Sequence, residues 1–140
     1  MSHFSIQRHL TPLAALCALM LLSACAATGK KTETIEDRVN GRWAALLGND
    51  VETAYKYLTP GYRSSVSLQQ YQREFATQKM KWTSAKYVKS ECEQGTCVAQ
   101  VQVGYTIYGV LPGVKSMSNS QYAEETWILI DGTWYLVPPQ

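Results

Sequence analysis

Histidine is nearly missing from this chain of 140 residues: two occur, His3 and His9, both within the first ten positions. From residue 10 onward the commonest general base is therefore unavailable, and Ser-His-Asp or Cys-His catalysis is excluded. An apolar run long enough to cross a membrane is missing too. Residues 13–22 are apolar but end at Thr11-Pro12 on one side and Ser23 on the other, short of the roughly 20 residues a spanning helix needs. Neither sign of charge dominates, with 13 Lys and Arg against 11 Asp and Glu. Beyond Lys30-Lys31 the positive residues are scattered, so the clustered basic surface required for nucleic acid is not there. Gly109 and Gly113 lack the Lys and Ser/Thr that complete a phosphate-binding loop. Cys92 and Cys97, two sulfurs with no histidine near them, do not make a zinc site, and neither metal nor cofactor is expected. The sequence shows no internal repeat and no low-complexity domain.

What is present begins at the N-terminus. A short basic stretch containing Arg8 precedes the apolar run, which leads into Leu22-Ser23-Ala24-Cys25. In that context the four residues resemble the lipobox of secreted bacterial lipoproteins, the alternatives being an ordinary signal peptide or a plain helix. The resemblance implies a signal peptide over residues 1–24, cleavage before Cys25, and diacylglycerol on the Cys25 thiol. It implies a lipoprotein held to a membrane by palmitate-type acyl chains. Two or three such chains, at about 0.8 kcal/mol per buried CH₂, hold far better than one. Ala26 in place of Asp resembles the pattern sent to the periplasmic face of the outer membrane; a host with one membrane would carry the protein on its outer surface. Residues 25–33 are small and polar and form a tether whose seven central residues reach about 25 Å at most. Lys30 and Lys31 either touch anionic headgroups or are solvated linker charges.

Cys17 leaves with the signal and Cys25 carries lipid, so Cys92 and Cys97 remain. In an oxidising compartment they are expected to join as a disulfide. Four intervening residues rule out a thioredoxin-like pair.

Residues 34–140 are long enough for one compact domain. Thr34 and Asp37 have capping spacing, and Ile35, Val39, Trp43, Leu46 and Leu47 form a helical stripe ended by Gly48. Asn49 and Glu52 suggest the cap of a second helix stopped by Thr59-Pro60-Gly61. Ser67 and Gln70 start a third, carrying Leu68, Tyr71 and Phe75 to about residue 78. Beyond Met80 the period falls towards two. Residues 82–92 and 97–108 read as a hairpin that places Cys92 opposite Cys97 and Val88 opposite Val101. Ala99, Val101, Val103, Tyr105 and Ile107 then share one face, and Gln100, Gln102, Thr106 and Tyr108 a wetter one. Residues 109–121 break both patterns and are expected to form a long loop of the functional or mobile kind. Residues 122–130 and 133–137 form a last hairpin around Asp131-Gly132.

Three helices on a curved four-stranded antiparallel sheet make an α+β fold. The combination Arg42-Trp43-Ala44-Ala45-Leu46, Tyr55-Lys56-Tyr57-Leu58-Thr59-Pro60-Gly61-Tyr62-Arg63 and Glu125-Thr126-Trp127 with Asp131-Gly132-Thr133-Trp134-Tyr135 resembles the nuclear transport factor 2-like (cystatin-like cone) superfamily. The resemblance covers residues 34–137 and implies a cone with a pocket between sheet and helices. Such folds host isomerases, dehydratases and binding domains, so function must be argued from the site. Trp43, Tyr55, Tyr71, Phe75, Tyr105 and Trp127 are core packing or, if a pocket is open, its lining. Glu124 and Glu125 point to opposite faces of a strand, so at most one enters a pocket as a base; a solvated carboxylate or an ion-pair partner is the alternative. Arg42 and Arg63 either meet an anionic group or are helix-surface charges. Three readings follow: a non-catalytic binding or assembly domain of the cell envelope with a protein partner, a binder of a small apolar ligand, or an isomerase-like enzyme with a buried carboxylate beside a tyrosine.

Overall fold

The computed structural model describes residues 33–139. The expected signal peptide, Cys25 and most of the tether lie outside them. Thr32–Gln140 is one compact unit, and every element and every core residue named below comes from it. Four helices precede four strands: α1 (Ile35–Leu47), α2 (Val51–Lys56), α3 (Pro60–Ser65), α4 (Leu68–Ala76), β1 (Met80–Glu93), β2 (Thr96–Leu111), β3 (Val114–Ile130) and β4 (Thr133–Val137). The strands form one antiparallel sheet in the order β1-β2-β3-β4. The α+β class, the antiparallel sheet and its four strands are as expected.

The helix count is not. Thr59-Pro60 opens α3 rather than only closing α2: the Thr59 hydroxyl accepts from the Tyr62 N–H at 3.3 Å, and Pro60 occupies the first turn, where its missing N–H has no partner to lose. The cap of α2 also moves by one residue. Asp50, not Asn49, accepts from the Thr53 N–H at 3.0 Å, because Asn49 has φ 60° and serves as the left-handed residue that follows the end of α1. The other two caps form as read. Thr34 and Asp37 make a reciprocal capping box, and Ser67 accepts from the Gln70 N–H.

Cys92 stands opposite Cys97 around a two-residue turn, Gln94-Gly95. Both turn residues have positive φ, 48° and 80°, the geometry that matches the twist of the flanking strands. The pairing of Val88 with Val101 is corrected: Tyr87 faces Val101, and the register slips between Tyr87 and Lys89, leaving Val88 bulged and exposed. A second slip lies between Trp82 and Ser84. Such bulges bend a strand and increase its twist, which lets the sheet curl over α1.

The expected loop at 109–121 is strand. β2 and β3 stay paired from Thr96↔Ile128 to Leu111↔Val114, turning at Pro112-Gly113, where Gly113 has φ 82° as the third position of a type II turn requires. Because β4 pairs only with Thr126 to Ile130, the β3 edge before Thr126 has no strand partner among the described residues. Residues 114–122 are exposed throughout. Without a buried face they carry no alternation, which is why serine and asparagine there read as loop. The β4 edge is covered differently: Leu136 N–H donates to Tyr57 O at 2.8 Å, and Thr59 N–H to Leu136 O at 3.0 Å.

The core lies between α1 and the sheet. Val39, Trp43 and Leu46 meet Ala99, Val101, Val103, Trp127 and Leu136, with Ala54 and Leu58 closing one side. Thr106, placed on the wetter face, is in fact buried, and its hydroxyl shares a 2.9 Å hydrogen bond with Ser118.

Candidate functional site

Glu125 is the feature of the inner layer that chemistry must account for. It follows Glu124 on β3, and alternation sends the two to opposite faces. Glu124 is exposed, whereas Glu125 is 8% exposed. The Arg42 guanidinium reaches it from α1, with Nη1 2.6 Å from Oε1. The Trp127 indole N–H donates to Oε2 at 3.2 Å. Burial pushes the Glu125 carboxyl above its ordinary range. Arg42 pulls it back, as do the N–H of Trp127 and, more weakly, that of Trp43, which is buried without a hydrogen-bond partner of its own. Desolvation wins over these pulls.

Arg42 is thus no helix-surface charge. Its side chain is 12% exposed and lies 5.3 Å from the Trp43 ring centroid. The pairing escaped sequence reading because 83 positions separate its members. The sequence offered an ion-pair role for each member separately but nothing to join them; Arg38 and Arg42 sit one turn apart, beside the Val39-Trp43-Leu46 stripe. Arg38 donates from Nε to Trp134 O at 2.9 Å and lies over the Tyr57 ring, 4.2 Å from its centroid. Arg63 lies 5.8 Å from the Tyr135 ring centroid.

The six aromatic residues divide into four groups. Trp43 and Trp127 flank Glu125 in the packed layer. Tyr55 and Tyr71 pack against each other between α2 and α4 with rings tilted by 45°, centroids 5.5 Å apart, and the Tyr55 hydroxyl donates to the Val66 carbonyl at 2.6 Å. Tyr105 packs edge-on to Trp82 at 6.2 Å, and Trp82 edge-on to Trp43 at 5.3 Å. Phe75 is the member that lines a groove. That groove, of about 320 Å³, opens between the C-terminal ends of α1 and α4 and the start of β1, and is lined by the apolar Leu46, Val51, Phe75, Met80 and Trp82 together with the polar Asn49, Gln72, Gln78 and Lys81. Trp82 was not singled out from the sequence, although its place at the head of an aromatic-rich strand was visible.

No tyrosine hydroxyl hydrogen-bonds Glu125: its partners are Arg42 and Trp127. The geometry needed for isomerase-like chemistry, a free buried carboxylate beside a tyrosine, is therefore not the one found at this acid. Among the described residues no group of three His, Cys, Asp or Glu is placed to hold a metal. Cys92 and Cys97 are joined as a disulfide across the first hairpin. Cys97 is fully buried in the core and Cys92 is exposed.

No protein-family model matches the chain, and no curated protein does. Solved structures do. A SEC-C motif-containing protein from Rhodopseudomonas palustris superimposes with TM-score 0.58 at 12% identity, over 76% of this chain and 77% of that one. A protein from Thiobacillus denitrificans described as a calcium/calmodulin-dependent protein kinase type II association domain gives 0.52 at 12%, over 76% and 96%. An NTF2-like protein from Cytophaga hutchinsonii gives 0.45 at 20%, over 72% and 88%. The first two superpositions show an α+β fold shared with those proteins. At these identities the likeness concerns fold alone.

Proposed function

We propose that this protein is a lipid-anchored component of the bacterial cell envelope, acylated on Cys25, whose folded part is a non-catalytic binding or assembly domain on the periplasmic face of the outer membrane. The anchor rests on Leu22-Ser23-Ala24-Cys25 and the run before it. The non-catalytic reading rests on one observation: the single buried carboxylate among the described residues is held by Arg42 and Trp127. A carboxylate so engaged has little freedom to take a proton from a substrate. The direct test expresses the full chain and its Cys25→Ser variant with labelled palmitate. The native chain takes up label and stays with membranes washed in high salt, and the variant does neither. Equal retention of the unlabelled variant after that wash contradicts the anchor, and catalysis abolished by Glu125→Gln contradicts the non-catalytic domain.

The groove at Phe75 favours a second reading, a small apolar ligand. Its 320 Å³ falls at the lower end of the size of ligand sites, and Leu46, Val51, Phe75, Met80 and Trp82 give it an apolar side beside the polar Asn49, Gln72, Gln78 and Lys81. An environment-sensitive apolar dye brightens with the native domain under this reading, and Phe75→Asp, at a half-buried lining position, abolishes the signal. A signal unchanged in that folded variant removes the groove from consideration.

A further inference from the structure

The sheet is polarised along its strands. Its carboxylates, Glu91, Glu93, Glu124, Glu125 and Asp131, lie towards the disulfide end. Residues 75–90 and 94–123 contain no Asp or Glu and carry Lys79, Lys81, Lys86, Lys89 and Lys115. At the far end β1 stops at Met80, opposite Ile107, while β2 and β3 run on together to Leu111 and Val114. The result is a two-stranded arm that projects past the rest of the sheet. Large apolar side chains are exposed on it: Tyr108 and Met117 each at 50% and Val114 at 40%. Register places Tyr108 and Met117 on opposite faces of the ribbon.

Lysines collar this arm. Tyr108 N–H donates to Lys79 O at 3.2 Å, Lys81 pairs with Thr106, and Lys115 follows Val114 at the turn. All three are exposed, and none makes an ion pair among the described residues.

We infer that the arm is a membrane contact: its apolar tip enters the interfacial layer of an anionic phospholipid bilayer while Lys79, Lys81 and Lys115 meet the headgroup phosphates. Two features select this occupant. Positive charge without compensating carboxylates complements an anionic surface, and a thin ribbon that exposes Tyr108 on one face and Met117 on the other has both covered at once by lipid, whereas a protein surface covers one face. Amphipathic insertion of this sort draws on buried apolar area and lipid charge together. The contact belongs to the folded domain and does not depend on acylation of Cys25.

The test uses fragment Thr32–Gln140, which holds every element and the whole core and lacks Cys25. The oxidised fragment is sedimented with vesicles of phosphatidylcholine alone and of phosphatidylcholine mixed with phosphatidylglycerol. Binding is expected to the mixed vesicles only, and to fall as salt rises. Each lysine near such a surface changes partition by about fivefold, so Lys79→Glu/Lys115→Glu lowers it by a hundredfold or more, on the order of one lysine's effect for each charge unit removed. Val114→Ser/Met117→Ser weakens binding to the mixed vesicles at low and at high salt alike, and Glu93→Gln at the opposite end leaves it unchanged. Absence of binding, equal binding to both vesicles, or full binding by the double lysine variant overturns the inference. So does a dimer in size-exclusion chromatography that Met117→Asp dissolves while vesicles capture nothing, since the arm then serves a second copy.

Discussion

Arg42 and Glu125 form a pair whose members answer differently to substitution. An acid whose folded pKa is raised stabilises the fold in its protonated form. That contribution is complete below the ordinary value of 4.5 and is lost as pH rises through the raised one. Glu125→Gln is therefore expected to match the native chain in acid and to gain on it as pH rises above 4.5, read from urea-unfolding midpoints across the range. Arg42→Met does the opposite. It strands a buried carboxylate and costs about 3 kcal/mol at pH 8, less in acid where the carboxyl takes up a proton, and Arg42→Met/Glu125→Gln recovers most of the loss. A pH-independent Arg42→Met penalty contradicts this assignment. Gly41 gives a second residue-scale outcome. In the middle of α1, Gly to Ala ordinarily gains about 1 kcal/mol, but a Cβ at Gly41 collides with the Tyr57 hydroxyl, whose ring is held beneath Arg38. Gly41→Ala is expected to lower stability by about 1–3 kcal/mol, measured by thermal unfolding, where a gain shows Tyr57 free to move. Sequence spacing carried Glu124 and Glu125 to opposite faces correctly. It had no means of bringing Arg42 to one of them, because that contact is made by tertiary packing.

Elements were most legible where the chain states its own boundary. Thr34 with Asp37, Ser67 with Gln70, Gly48 and Asp131-Gly132 each satisfy or release a particular backbone group, and each acts where its chemistry says. Legibility failed where one signal serves two purposes. Thr59-Pro60 ends one helix and begins another, Val88 is swallowed by a bulge, and the Ser-Asn stretch of β3 hides as loop because solvent lies on both sides of it. The first hairpin is over-determined: two positive-φ turn residues fix its register and the disulfide repeats the instruction. Closing so short a loop removes little denatured-state entropy, about 2 kcal/mol. Reduction is expected to lower the unfolding free energy from urea titration by about that amount and leave the folded circular dichroism spectrum intact. Unfolding on reduction alone makes the disulfide, rather than the core around Trp127, what holds the sheet together.

For the whole molecule, sequence and fold divide the account between them. The α+β class, the antiparallel sheet and the Cys92–Cys97 pairing were readable from periodicity and cysteine bookkeeping. The polarity of the sheet was not, because acids and lysines scattered through the sequence separate only when the strands are laid side by side. Neither was the filling of the inner layer, since aromatic residues suited to lining a pocket are equally suited to closing one. In the proposed account the N-terminal cysteine fixes the protein to lipid, the arm adds a second contact, and the interior contributes packing rather than catalysis. The most direct test of this account is the intact mass of the protein extracted from its native membrane. The account predicts a chain that begins at Cys25, with the added mass of a diacylglyceryl group and, in a two-membrane host, a further acyl chain on its amine. A chain that retains residues 1–24, or one that begins at Cys25 with an unmodified thiol, contradicts it.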